Sequence, residues 1–176
     1  MVHSALSGVT DRLERLLAAA LEGSHASVIE EVRARHVALA AELGVALPPG
    51  LERHVADLGK IASGIALVGE VSDRVRARVM AAGELMATEL GAAYLASLGL
   101  DARLVDARTL LSATPRRGAT DRASVLSATC DFTPEPALAA RLASASAVVV
   151  TQGFIARDED GHTVLLGRGG SDTSAA

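Results

Sequence analysis

The chain has 176 residues, 49% hydrophobic and 22% charged, and a net charge of −4. That is long and apolar enough to bury a core rather than stay disordered, and a negative net charge gives no electrostatic reason to expect a nucleic-acid partner. Aromatics are only 2%, so the core must be built from Ala, Leu and Val, and Tyr94, Phe132 and Phe154 are too scattered to stack bases.

The single cysteine, Cys130, can make no internal disulfide and has no second thiol for a metal site. It reads as a small buried hydrophobe in a reducing cytosol. The most apolar run, "IASGIALVGEV", falls short of the roughly 18 residues that signal a membrane span. "MVHSALSGV" has neither a basic leader nor a long apolar stretch, so a cytoplasmic chain without membrane contact is expected.

In chain order, a very short strand, Val2-His3, leads into "SALSGVTD". In "TDRLERLLAAALEG", Leu13, Leu16, Leu17 and Leu21 repeat at helical spacing, Thr10 or Asp11 offers a cap and Gly23 a stop. Ser24 can cap a second helix through "ASVIEEVRARHVALAAEL" to Gly44. Two prolines in "ALPPGLERHV" break the chain, and a third helix follows from about Leu51. Ser72 and Asp73 open a fourth, "SDRVRARVMAAGELMATELGAAYLASLGL". Residues 10–100 are thus mostly helical.

From 101 to 176 the period changes. "ARLVDA", "SVLSATC" and "SAVVVTQGFIA" are short apolar, β-branched runs typical of buried strands. "TPEPALAARLAS" is a short helix with prolines at its start. Strand, helix, strand at this spacing predicts a βαβ crossover, hence a partly parallel sheet. Asp160-Gly161 marks a hairpin turn between "GFIA" and "TVLL". The expected architecture is α/β, a partly parallel sheet sandwiched by helices with a helical insertion, forming one lobe over 1–176.

Parallel sheets bind ligands at the carboxyl ends of their strands, and three stretches could serve. In "VHSALSGVTD", Ser4, Ser7, Gly8 and Thr10 can present N–H groups and hydroxyls to an anion, or simply cap a helix. In "LGRGGSDTSAA", Gly167, Gly169 and Gly170 allow close backbone approach, Ser171 or Asp172 opens a helix, and Arg168 suits a carboxylate or phosphate. The bland alternative is a glycine-rich turn with a solvated arginine. Neither GxxxxGK[ST] nor GxGxxG occurs. In "MAAGELMATEL", Glu84 sits among Met80, Leu85 and Met86 at the rim of a buried face, where a carboxylate needs a cationic partner such as a substrate ammonium. A surface glutamate is the alternative. Asp158, Glu159 and Asp160 read as a solvated turn.

Together, "HSALSGVTDRLERLL", "AAGELMATEL" and "VVVTQGFIARDEDGHTVLLGRGGSDTSAA" resemble the aspartate kinases of the amino-acid kinase superfamily. The resemblance covers the whole chain in order, and the four-helix stretch matches that family's helical insertion. The sequence is also similar in style to the kinase part of bacterial fusions with diaminopimelate decarboxylase.

The family implies transfer of a phosphoryl group from ATP, with Mg2+, to the β-carboxylate of L-aspartate. By resemblance, Arg168 would clamp a substrate carboxylate and Glu84 hold the ammonium. Ser4 and Thr10 would lie near the acceptor carboxylate, with Ser171, Gly169 and Gly170 on the substrate. Asp172 would organise the transferring centre. Positioning and charge neutralisation suffice for such chemistry, consistent with the lack of a Ser-His-Asp or Cys-His constellation.

Family members carry a KFGGTS-like loop before the first matching segment and a nucleotide lobe after the last. Neither is in this sequence, whose one lysine, Lys60, lies in the third helix. The expectation is a substrate-binding lobe that does not turn over by itself and that self-associates as a homo-oligomer. The alternatives are another amino-acid kinase, acting on glutamate or acetylglutamate, and a non-catalytic amino-acid-binding protein.

Overall fold

The computed structural model describes residues 1–116, 118–131, 133, 135–143 and 148–167. Strand β1 (Val2–His3) is followed by α1 (Val9–Leu21), α2 (Ala26–Leu43), α3 (Pro49–Val68) and α4 (Asp73–Ser97). Next come β2 (Ala102–Leu104), a 3-10 turn (Ala107–Thr109), β3 (Ala113–Thr114), α5 (Asp121–Leu126) and β4 (Thr129–Cys130). α6 (Pro136–Ala143), β5 (Val148–Gln152), β6 (Ile155–Arg157) and β7 (Thr163–Leu165) complete the described elements.

The helical half follows the pattern of its leucines. Leu13, Leu16 and Leu17 of α1 and Leu51 and Leu58 of α3 are buried in one cluster with Met86 of α4, each such side chain worth about 1.5–3 kcal/mol of burial. The start of α1 differs from expectation, while Gly23, at φ 73° just beyond its end, is the stop expected of it. Gly8 holds the cap position with φ 76°, a left-handed backbone that Thr10 or Asp11 would adopt only under strain, and both lie inside the helix. Ser24 does not cap α2. It closes α1, its N–H donating to Ala19 O (2.9 Å) while Gly23 N–H donates to Ala20 O (3.1 Å). The α4 cap stands as expected, since Ser72 accepts from Val75 N–H.

α4 is the central element. From Val79 to Thr88 every residue is buried, because α1, α2 and α3 pack on it as well as β1, β2, β5 and β7. A helix enclosed this way shows no polar stripe. Gly83 permits the closest approach: a Cβ there would lie 3.1–3.3 Å from Leu13, Ala5 and Val9.

The sheet is parallel, in the order β1-β5-β2. Val2 and His3 pair with Thr151 and Gln152, and Ala102–Leu104 with Val148–Val150. The expected parallel strands are there, but not through the predicted crossover. β4 pairs antiparallel with β3 and joins no sheet with β5. Nor is "SVLSATC" one strand: Ser124, Val125 and Leu126 belong to α5, where Thr120 accepts from Ala123 N–H. A short apolar run is ambiguous between helix and strand, and here the preceding Thr-Asp cap decides it. The predicted hairpin forms as β6 and β7, with Ile155 opposite Leu165 and Gly161 at φ 82° in the turn.

Candidate functional site

The carboxyl ends of β1 and β5 lie side by side, joined beyond the ladder by Gly153 N–H donating to His3 O at 3.0 Å. Three chain segments converge there: the 4–8 loop after β1, the turn after β5, and the middle of α4.

Glu84 of α4 is 5% exposed, deeper than the rim position its sequence neighbours implied. Burial pushes its carboxyl up to about 7, while the Ala5 N–H directed at the carboxylate opposes that rise. Its Oε2 has no hydrogen-bond partner among the described residues. A carboxylate that is buried and half satisfied is expensive unless a cation completes it. Through the Ala5 N–H, Glu84 sits against the loop that follows β1.

Ser4 is exposed, its carbonyl 2.9 Å from His3 Nδ1. Thr10 is exposed in the first turn of α1, so its side chain is available to a ligand over that helix end. Arg168, Gly169, Gly170, Ser171 and Asp172 lie outside the described residues. The described chain leads to them through Leu166, whose N–H donates to Phe154 O at 2.7 Å.

Two features were not read from the sequence. Phe154 has φ 64°, the one described non-glycine residue with positive φ, and Ile155 N–H donates to Gly153 O across it at 2.8 Å. This tight three-residue turn is strained for a side-chain-bearing residue. It places Phe154 with Met80, one turn before Glu84, in the lining of a hollow of about 440 Å3. The only signal in the sequence was an aromatic directly after Gly153 at the end of an apolar strand.

The second is a buried polar relay. Gln152 Oε1 accepts from Ala107 N–H (2.8 Å) and Gln152 Nε2 donates to Thr88 Oγ1 (2.8 Å), while Thr88 donates to Glu84 O (2.8 Å). Both side chains are fully enclosed, and they tie the end of β5 to α4 one turn from Glu84. Cys130, expected to be buried, is half-buried, its thiol pushed up by burial.

A hollow of about 500 Å3 lies between the start of α4, α5 and the hairpin turn, and holds neither Glu84 nor Ser4 nor Thr10. There Asp158 is not the solvated residue its turn suggested. Burial works against its ionisation, but Arg74 at 2.8 Å and the His162 N–H hold its carboxyl below the usual range. Asp158, Asp160 and His162 bring ligand atoms within 4.8 Å of one another, with Asp158 already engaged by Arg74. Lys60 is exposed and held by Asp57 at 2.9 Å, remote from the site in sequence and partner.

The comparisons agree with this fold. The amino acid kinase family model matches residues 1–176. An aspartokinase of Chlamydia trachomatis is 31% identical over 100% of this chain and 38% of its own length. Aspartokinase 1, chloroplastic, of Arabidopsis thaliana is 32% identical over 86% and 27%. The chain therefore spans well under half the length of these relatives. Among solved structures, E. coli aspartokinase III in complex with aspartate and ADP superposes with a TM-score of 0.75 at 28% identity, over 97% of this chain and 37% of that one. A fold with parallel strands meeting a buried glutamate at their carboxyl ends, and a family match along its whole length, give one conclusion: the chain belongs to the amino acid kinase family.

Proposed function

We propose that this chain is the substrate-binding lobe of an aspartate kinase, and that the protein containing it transfers the γ-phosphoryl group of ATP to the β-carboxylate of L-aspartate. The observation that carries the reading is Glu84, a buried carboxylate with one unpartnered oxygen beside the loop that follows β1. An α-ammonium would complete it, and the energetic gain comes from ending the isolation of a buried charge. The aspartokinase relatives, and the aspartate named in the E. coli complex, support that acid over others.

In this reading Ser4 and Thr10 face the acceptor carboxylate, and Arg168 forks onto the α-carboxylate with help from Gly169, Gly170 and Ser171. Asp172 organises the transferring centre. The residues' work is to hold the acceptor in line and to offset charge, which is most of what phosphoryl transfer requires. MgATP is the donor, and the ADP in the E. coli complex supports that part. The described residues serve the acceptor. No described helix is long and apolar enough to cross a membrane, which is compatible with a cytoplasmic enzyme.

The test is ATP-dependent acyl-hydroxamate formation by the protein containing this chain, with L-aspartate, L-glutamate and acetylglutamate as acceptors. Activity on L-aspartate alone, lost in Arg168→Ala and Glu84→Ala, is the expected result. Preference for another acid would replace the substrate. Binding of aspartate without turnover would make the protein an amino-acid binder.

A further inference from the structure

Two hollows, of about 180 and 240 Å3, share Arg78 and Thr163 in their linings. The larger is lined by Arg74, Arg78, Gly161, His162 and Thr163, and contains no carboxylate. The smaller adds His54 and Arg108, with Asp57 its one acid, and Asp57 is held by Lys60 at 2.9 Å. The cations there are not equivalent. Arg74 is paired with Asp158 at 2.8 Å and Arg108 with Asp106 at 2.6 Å, while His162 Nδ1 lies 3.5 Å from Asp158 and His54 Nε2 3.1 Å from Glu89. Arg78 is exposed and makes no hydrogen bond or ion pair among the described residues. Thr163 Oγ1 accepts from Arg108 at 3.0 Å, which leaves its own hydroxyl proton free to donate.

We propose that Arg78, with His162 and the Thr163 hydroxyl, forms a binding site for a small oxyanion, a phosphate or carboxylate group, between α4 and the β6–β7 hairpin. A guanidinium fork that is itself unpaired, with Asp57 and Asp158 each held by other cations, is the donor set such groups take. An anion held there joins α4, which carries Glu84, to the hairpin that delivers Leu166 to Phe154. The site thus braces the two elements on either side of the candidate pocket. The inference stands whether or not aspartate is the substrate.

The experiment titrates the full chain with inorganic phosphate, and separately with succinate, in chloride buffers of matched ionic strength. It follows thermal unfolding and the His162 imidazole resonances in the wild type, in Arg78→Gln, and in Arg53→Gln as an exposed control on α3. The expected result is saturable stabilisation and a His162 shift with at least one anion. Both should survive in Arg53→Gln and weaken by about tenfold or more in Arg78→Gln. Response to phosphate alone assigns a phosphate group, and response to succinate alone a carboxylate. No saturable response, or the same response in Arg78→Gln as in the wild type, overturns the site.

Discussion

Glu84 and His36 set opposite limits on the pH range in which this chain is stable. The Glu84 carboxyl is raised from 4.5 to about 7 in the fold. The folded state therefore holds that proton more tightly than the unfolded one, and stability falls as pH rises through that interval. At pH 8 the penalty is on the order of 3 kcal/mol. Glu84→Gln should recover much of it in urea melts at pH 8 and change little at pH 5, unless a bound amino acid has already supplied the cation. His36 is fully buried, its Nδ1 2.8 Å from Val32 O and its Nε2 without a partner. Burial lowers its pKa, against the pull of the Val32 carbonyl. Its neutral form is the one the fold accepts, so stability is lost as pH falls below about 6.5. His36→Leu should flatten the acid side of the same curve and leave the alkaline side alone. At Gln152, replacement by Leu strips Ala107 N–H of its acceptor and should cost about 2–4 kcal/mol in urea unfolding. A loss below about 0.5 kcal/mol would mean that the relay is not a structural tie.

At the scale of elements, the packing of α4 on the 4–8 loop decides whether the pocket exists. Gly83→Val would place branched carbons where Leu13, Ala5 and Val9 already sit within 3.1–3.3 Å of a Cβ. The expected result is about 1–3 kcal/mol of destabilisation together with weaker amino-acid binding, because Ala5 is also the donor to Glu84. Loss of stability with unchanged binding would separate the two. Much of this layer was legible in the sequence. The leucine spacing of α1, the Ser72 cap and the Asp160-Gly161 turn are local signals, and each stands in the fold. What failed was nonlocal or balanced between options. β4 pairs with β3 rather than with β5, which no local pattern could settle. The "SVL" run turned with Thr120 into a helix. Gln152 carried no signal in its strand, and only the neighbouring α4 makes it a bridge.

For the whole molecule, the three-stranded sheet leaves both β1 and β2 as edges among the described residues. Leu98, Leu100 and Leu104, at 58%, 46% and 36% exposure, run apolar surface along the approach to β2. Unpaired edges beside exposed leucines favour association, so sedimentation should find a homo-oligomer, and a clean monomer over a wide concentration range would remove that expectation. In the proposed function, Glu84 holds an ammonium at the carboxyl ends of β1 and β5. The direct test is calorimetric titration of the protein containing this chain with L-aspartate and with succinate, which differs by lacking the ammonium, for wild type and Glu84→Gln at pH 8. The account predicts that wild type prefers L-aspartate by about tenfold or more and that Glu84→Gln loses the preference while still binding succinate. An undiminished preference in Glu84→Gln would contradict it.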